Sequence, residues 1–144
     1  MTLAPRITLV TLGVADVAAS TEFYQKLGFR RSSASNDSVT FFHMNGTVLG
    51  LFGHEALAAD AGLDAGPAPS FRGVSLAHNL SSREEVDVAW AFAVECGAEP
   101  VKTPEEVFWG GYSGYFADPD GHLWELAHNP FAPLDENGHM ELPD

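Results

Sequence analysis

The predicted order of elements in this chain repeats, and that repetition restricts the fold more than any other feature. Residues 7–14 are β-prone and mostly apolar, so they read as a strand. Asp16 is placed to cap a helix over 16–27. Its apolar face is Val17, Phe23, Tyr24 and Leu27, and Gly28 is placed to end it. Three strands are predicted next, Phe29–Ser35, Val39–Asn45 and Val48–His54, turned at Asn36-Asp37 and Asn45-Gly46. The second half opens with a strand over Gly73–Leu80. A helix follows, capped by Ser81 or Ser82, with Glu84 and Glu85 in its first turn. Val86, Ala89, Trp90 and Ala93 recur at helical spacing, and Gly97 ends the run. Pro100–Val107 is extended and leads to a closing hairpin. Each half therefore reads strand, helix ending in glycine, then three strands.

Between the halves, Glu55–Asp60 is a short helix stopped by Gly62, and residues 62–70 form a linker rich in Gly, Pro and Ala. The chain is expected to be a single domain over 1–144. Module one spans about 7–60 and module two about 72–129, with a tail over 130–144 that is a surface strap or disordered.

The closing hairpin carries the chemistry. Asp118-Pro119-Asp120-Gly121 is a turn: Pro119 pre-sets φ and Gly121 accepts a positive φ. Aromatic-rich arms flank it. In the second arm, Leu123, Glu125 and Ala127 share one face and Trp124 and Leu126 the other, by the period of two along a strand. Glu125 is thus a carboxylate among apolar neighbours. A buried carboxylate needs a metal, a hydrogen-bond donor or a proton. Two plainer environments are a wet strand end and a hydrogen bond from a tyrosine hydroxyl.

Tyr115 to Leu126, centred on Asp118-Pro119-Asp120-Gly121-His122, resembles the closing hairpin of the vicinal-oxygen-chelate superfamily. That superfamily includes glyoxalase I, extradiol dioxygenases, fosfomycin-resistance enzymes and bleomycin resistance proteins. The resemblance implies an α+β fold of two βαβββ modules forming an open eight-stranded barrel-like cleft, over about 7–129, and a homodimer. It also implies where a metal would be held, with one side chain from each of four strands. Those positions fall at Leu9, Gly50, Gly73 and Glu125. Only Glu125 is a donor, and a catalytic divalent ion needs about three protein ligands. No metal and no cofactor is therefore expected. A non-standard site assembled from His43, His54 and Glu125 is the exception considered. Of the other histidines, His122 reads as a solvent residue at the turn and His128 as an exposed or interface residue.

On the geometry the resemblance implies, the cleft face holds Leu9, Thr11, Val48, Gly50 and Phe52 from module one. Module two adds Gly73, Ser75, Ala77, Leu123 and Glu125. Trp109, Tyr112 and Tyr115, with Phe42, are expected near it, and Gly110-Gly111 would form a rim or a bulge. The candidate ligand-binding residues are Phe52, Ser75, Trp109, Tyr112, Tyr115 and Glu125. An apolar pocket with one acid and a few hydroxyls is the usual make-up of a small-molecule site. Aromatic faces also attract cations.

The reading that follows is a metal-free protein that sequesters an aromatic or cationic small molecule. The alternative is an enzyme of lyase or isomerase type with Glu125 as general base. A third is an interaction module whose groove is filled by its own tail. Seven Lys and Arg face twenty Asp and Glu, for a net charge of −13. That balance disfavours nucleic acid and anionic membrane surfaces as partners. It mildly favours neutral or cationic ligands. One cysteine, Cys96, forbids an internal disulfide, and no signal peptide or membrane-length apolar run is present, so a cytoplasmic location is expected.

Overall fold

In the computed structural model, residues 1–67 and 69–144 are described, so Ala68 of the predicted linker lies outside the described residues. The chain divides into two compact units, Met1–Ala68 and Pro69–Asp144. Among the described residues there are eight strands and three helices, in two four-stranded mixed sheets. The fold is α+β.

Unit one comprises β1 (Leu9–Val14), α1 (Val17–Lys26), β2 (Arg30–Arg31), β3 (Val39–His43), β4 (Val48–Gly53) and α2 (His54–Asp60). Its sheet order is β1-β4-β3-β2, with β1 and β4 parallel and the other pairs antiparallel. Alternation along the strands sorts the side chains. Leu12, Val14, Phe42, Leu49 and Leu51 are buried, as are Phe23 and Tyr24 of α1. The Tyr24 ring stacks on Phe29 at 5.5 Å and meets Phe42 at 5.9 Å. Phe42 therefore belongs to the core and not to a ligand-facing surface. Its neighbour Phe41 takes the opposite face, with Leu9 and Thr11 beside Gly50. The predicted strand over 29–35 shrinks to two residues. Serine side chains take over the backbone groups there: Ser32 Oγ accepts from Ala34 N at 3.1 Å, and Ser35 Oγ accepts from Phe41 N at 2.9 Å.

Asp16 caps α1 as its sequence position predicts, Oδ1 accepting from Ala19 N at 3.1 Å. Asp16→Ala is expected to cost about 1 kcal/mol. Urea unfolding would measure it, and an unmoved midpoint would mean the cap contributes nothing.

Unit two comprises β5 (Leu76–Asn79), α3 (Arg83–Glu95), β6 (Glu99–Glu106), β7 (Tyr112–Ala117) and β8 (Leu123–His128). Its order, β5-β8-β7-β6, repeats that of unit one, with β5 and β8 parallel. The strand predicted from Gly73 starts only at Leu76, because Gly73 takes φ +71° and breaks the extended run. Ser82 is the α3 cap: its Oγ accepts from Glu85 N at 3.1 Å, and Glu85 Oε2 accepts from Ser81 N at 2.9 Å. Helix α3 packs on β7 and β8. Val86 and Ala93 are buried there, as are Phe116, Trp124 and Leu126, and the Phe116 and Trp124 rings lie parallel 6.3 Å apart.

Strand β6 is bulged, its register against β7 slipping between Pro100 and Lys102 and again between Lys102 and Glu105. The bulge presses Pro104 and the Lys102 carbonyl against Gly114 of β7, so closely that a Cβ there would stand 2.8 Å from Pro104 N. The tail beyond Pro130 is folded. Leu134 bridges Met140, and the Asp135 carboxylate accepts from Asn137 N and His139 N at 2.8 and 2.9 Å. The His139 N–H leads the causes that hold this carboxyl below its ordinary range. Among the described residues, no helix is long and apolar enough to cross a membrane.

Candidate ligand groove

The β7–β8 turn sets the orientation of the second hairpin arm. Asp118 is buried, and its Oδ1 accepts from Asp120 N at 3.0 Å and His122 N at 2.8 Å. Arg72 clamps the turn from outside: Nη2 donates to Asp120 O at 2.6 Å, and Nη1 lies 3.1 Å from His122 Nδ1. Arginine has only donors, so His122 Nδ1 is the acceptor of that bond. The turn therefore holds His122, which was expected to face solvent. Arg72 is likewise engaged in the structure.

Held this way, β7 and β8 pair Tyr115 directly opposite Glu125 and Ala117 opposite Leu123. Directly opposed residues share a face. Tyr115 OH donates to Glu125 Oε2 at 2.9 Å. Glu125 thus has the plainer partner considered from the sequence, a tyrosine hydroxyl. Burial, then the Glu125 bond and charge, push the Tyr115 phenol above its ordinary value of 10.0.

Beside this pair lies a groove of about 620 Å³ inside unit two. Phe71, Val74, Val101 and Leu123 are its apolar lining, and Ser75, Lys102 and Tyr115 its polar lining. The volume falls within the few hundred to about a thousand Å³ typical of small-molecule sites. Phe71, Val74 and Val101 are exposed large hydrophobics, 69%, 61% and 54% accessible, so the groove is a patch of uncovered apolar surface. The Lys102 ammonium is paired with Glu105 at 3.0 Å.

Of the residues singled out from the sequence, Gly73, Ser75, Tyr115 and Leu123 line this groove, and Glu125 reaches it through the Tyr115 hydroxyl. Phe52 lies in unit one, opposite Gly13. Trp109 sits in the β6–β7 turn, where Gly110 N bonds Val107 O at 2.9 Å. Its indole lies over Gly111. Tyr112 is three residues from Tyr115 and so on the other face of β7. It points to α3, donating to Asp87 Oδ1 at 2.6 Å with the Arg83 guanidinium 5.3 Å from its ring centre. The Asp87 bond is the first cause of its raised phenol pKa. Grouping Tyr112 with Tyr115 therefore needs correction. Phe71, Val74, Val101 and Lys102 were missed. The prolines at 100 and 104 were the available signal, since prolines within a strand mark an edge or a bulge.

The four metal positions implied by resemblance can be compared with the strand register. Gly50 pairs with Thr11, and Leu9 lies two residues earlier; Glu125 pairs with Ala77, and Ser75 lies two residues earlier. Ser75 rather than Gly73 is thus the counterpart of Leu9. Neither Leu9, Gly50 nor Ser75 is a carboxylate, imidazole or thiolate. Among the described residues, no three His, Cys, Asp or Glu side chains are grouped to hold a metal ion. The donor set does not fit a divalent metal held in the manner the resemblance implies.

The sequence profile of the Glyoxalase/Bleomycin resistance protein/Dioxygenase superfamily matches residues 6–126. The chain belongs to this superfamily. A glyoxalase-related enzyme from Fulvimarina pelagi is 31% identical to it, with 98% of this chain and 100% of that chain covered and a TM-score of 0.86. A glyoxalase/bleomycin resistance protein/dioxygenase from Nocardioides is 32% identical, with 89% and 85% covered and a TM-score of 0.76. A lactoylglutathione lyase from Agrobacterium tumefaciens shares the superfamily fold at 19% identity, with 89% and 96% covered and a TM-score of 0.65. No protein of curated function matches the chain.

Proposed function

We propose that this superfamily member is a binding protein that sequesters an aromatic or cationic small molecule without a metal, working as a homodimer. The observation that carries this reading is the groove beside the Tyr115–Glu125 pair, with its apolar lining and its lack of metal-donor side chains. Phe71, Val74, Val101 and Leu123 would cover the apolar body of the ligand. Glu125 would receive a cationic or N–H group, exchanging its bond to the Tyr115 hydroxyl for a charge-assisted one. Tyr112 has no part in this site.

The test is an equilibrium titration, by intrinsic tryptophan fluorescence, with a panel of aromatic cations and neutral aromatics. A cationic ligand is expected to lose roughly ten- to hundredfold in affinity in Glu125→Gln, because hydrogen bonds to charged groups contribute more than neutral ones. No saturable ligand across the panel, or equal affinity in the variant, would count against sequestration.

A second reading is supported by the Fulvimarina relative, described as an enzyme and similar over nearly its whole length. Here Glu125 acts as general base in a lyase or isomerase reaction, with Tyr115 positioning it. Hemithioacetal turnover, with and without added Ni, Zn, Mn or Fe, separates the two readings. Turnover that disappears in Glu125→Gln would replace the first with the second.

The Tyr115 phenol supplies a pH prediction. The native state holds this proton to higher pH than the unfolded chain does. The stability it contributes is therefore complete below the ordinary tyrosine value of 10.0 and is lost as the pH rises through the native value. In a Tyr112→Phe background, which removes a second tyrosine whose phenol is also raised, Glu125→Gln is expected to return the Tyr115 tyrosinate absorbance to lower pH. An unchanged titration would show that the carboxylate does not act on the phenol.

A further inference from the structure

The carboxyl ends of β5 and β8 run side by side, Asn79 paired with Ala127, and the chain leaves them as Leu80-Ser81 and His128-Asn129. The tail then folds back over this end. Asn129 Oδ1 accepts from Phe131 N at 2.9 Å, its backbone oxygen accepts from Ala132 N at 3.3 Å, and Ala132 is only 5% exposed. A pocket of about 240 Å³ remains, with apolar walls from Leu80, Pro130, Ala132, Pro133 and Leu134. Asn79, Ser81, His128 and Asn129 complete its lining, and no Asp, Glu, Lys or Arg takes part.

The polar groups here have a defined pattern. His128 Nδ1 lies 3.1 Å from the Leu80 carbonyl oxygen. A carbonyl can only accept, so Nδ1 carries the proton and Nε2 of the neutral ring is an acceptor. Asn129 uses its side-chain oxygen on Phe131 N and keeps its NH2 donors. The Ser81 hydroxyl, the Asn79 amide, the Asn129 NH2 and His128 Nε2 have no hydrogen-bond partner among the described residues. Ser81 is exposed and Asn79, His128 and Asn129 are half-exposed, so water satisfies these groups in the free protein and a ligand with matching donors and acceptors would take its place.

We propose that this pocket is a second binding site, separate from the groove, for a small uncharged carboxamide. A carboxamide presents an N–H to His128 Nε2 and an oxygen to the Asn129 NH2, and its fork of one donor and one acceptor matches that of Asn79. The volume, below that typical of drug-sized sites, limits the ligand to a few atoms beyond the amide. The absence of charged lining residues favours a neutral molecule, since a charged group held here would meet no side chain of opposite charge in the lining.

Nicotinamide and glycerol, titrated separately into the full chain, test this by the NMR shifts of the His128 ring and of the Asn79 and Ser81 backbone amides. Nicotinamide is expected to shift them saturably. Glu125→Gln is expected to leave that binding unchanged, while His128→Ala weakens it roughly tenfold, the value of about one hydrogen bond. If His128→Ala does not fold, Asn79→Asp, which removes the donor at nearly the same size, is expected to give the same loss. Saturation by glycerol but not nicotinamide would overturn the carboxamide assignment. No saturable shift, or one that survives both pocket substitutions, would overturn the site. A loss in Glu125→Gln would place nicotinamide in the groove instead.

Discussion

Replacing Trp124 by alanine is expected to lower the free energy of unfolding by about 3–5 kcal/mol, the usual cost of truncating a buried tryptophan. Trp124 is 6% exposed, stacks on Phe116 and stands on the face of β8 that α3 covers. Removing it would leave a void beneath the helix that Val86 and Ala93 are too small to fill. The same helix is tied to the sheet by Trp90, whose Nε1 donates to Tyr115 O at 3.0 Å. Loss of the packing beneath α3 should therefore loosen the strand that carries Tyr115. Chemical unfolding followed by circular dichroism would measure the effect. A loss under about 1 kcal/mol would mean that the site collapses freely and that Trp124 is not a packing centre of unit two.

Gly114→Ala is expected to have the next largest effect, about 1–3 kcal/mol as for other overpacked positions, together with a loss of ligand affinity. The added Cβ would stand 2.8 Å from Pro104 N and 2.9 Å from the Lys102 carbonyl oxygen. These are backbone atoms, so no rotamer change relieves the clash and β6 itself must move. Val101 and Lys102 of β6 line the groove, and displacing them would open one wall. Gly111 contrasts with this, because a Cβ there would meet the ring of Trp109, a half-exposed side chain that can swing away. Unfolding midpoints and ligand titrations of Gly114→Ala should both fall. A variant of wild-type stability and affinity would show that the bulge is soft and does not shape the groove.

Much of the fold was legible because its determinants are local. Asp16 and Ser82 cap their helices by side chains that reach three residues along. Asn36 and Asp118 organise turns by the same short reach. Alternation separates Trp124 and Leu126 from Leu123 and Glu125 whatever surrounds the strand. Tyr112 and Phe42 were expected near the cleft, whereas Tyr112 bonds Asp87 of α3 and Phe42 is in the core of unit one; for Tyr112 the period of two already set it on the other face from Tyr115. The extent of β2 and the start of β5 were misjudged because serine side chains and the positive φ of Gly73 outweigh β propensity.

The sequence by itself determined the duplicated strand–helix–strands order, the capped helices, the Asp118–Gly121 turn and the place of one acid on a mostly apolar strand. Only the tertiary structure decided that this acid meets Tyr115, that Arg72 is engaged by a turn about fifty residues away, and that a bulged edge strand brings Val101 and Lys102 into a groove with Phe71. The physical reason is range. Caps, turns and alternation depend on neighbours within a few residues, whereas register, bulges and cross-strand partners depend on how distant segments share the hydrogen bonds of one sheet.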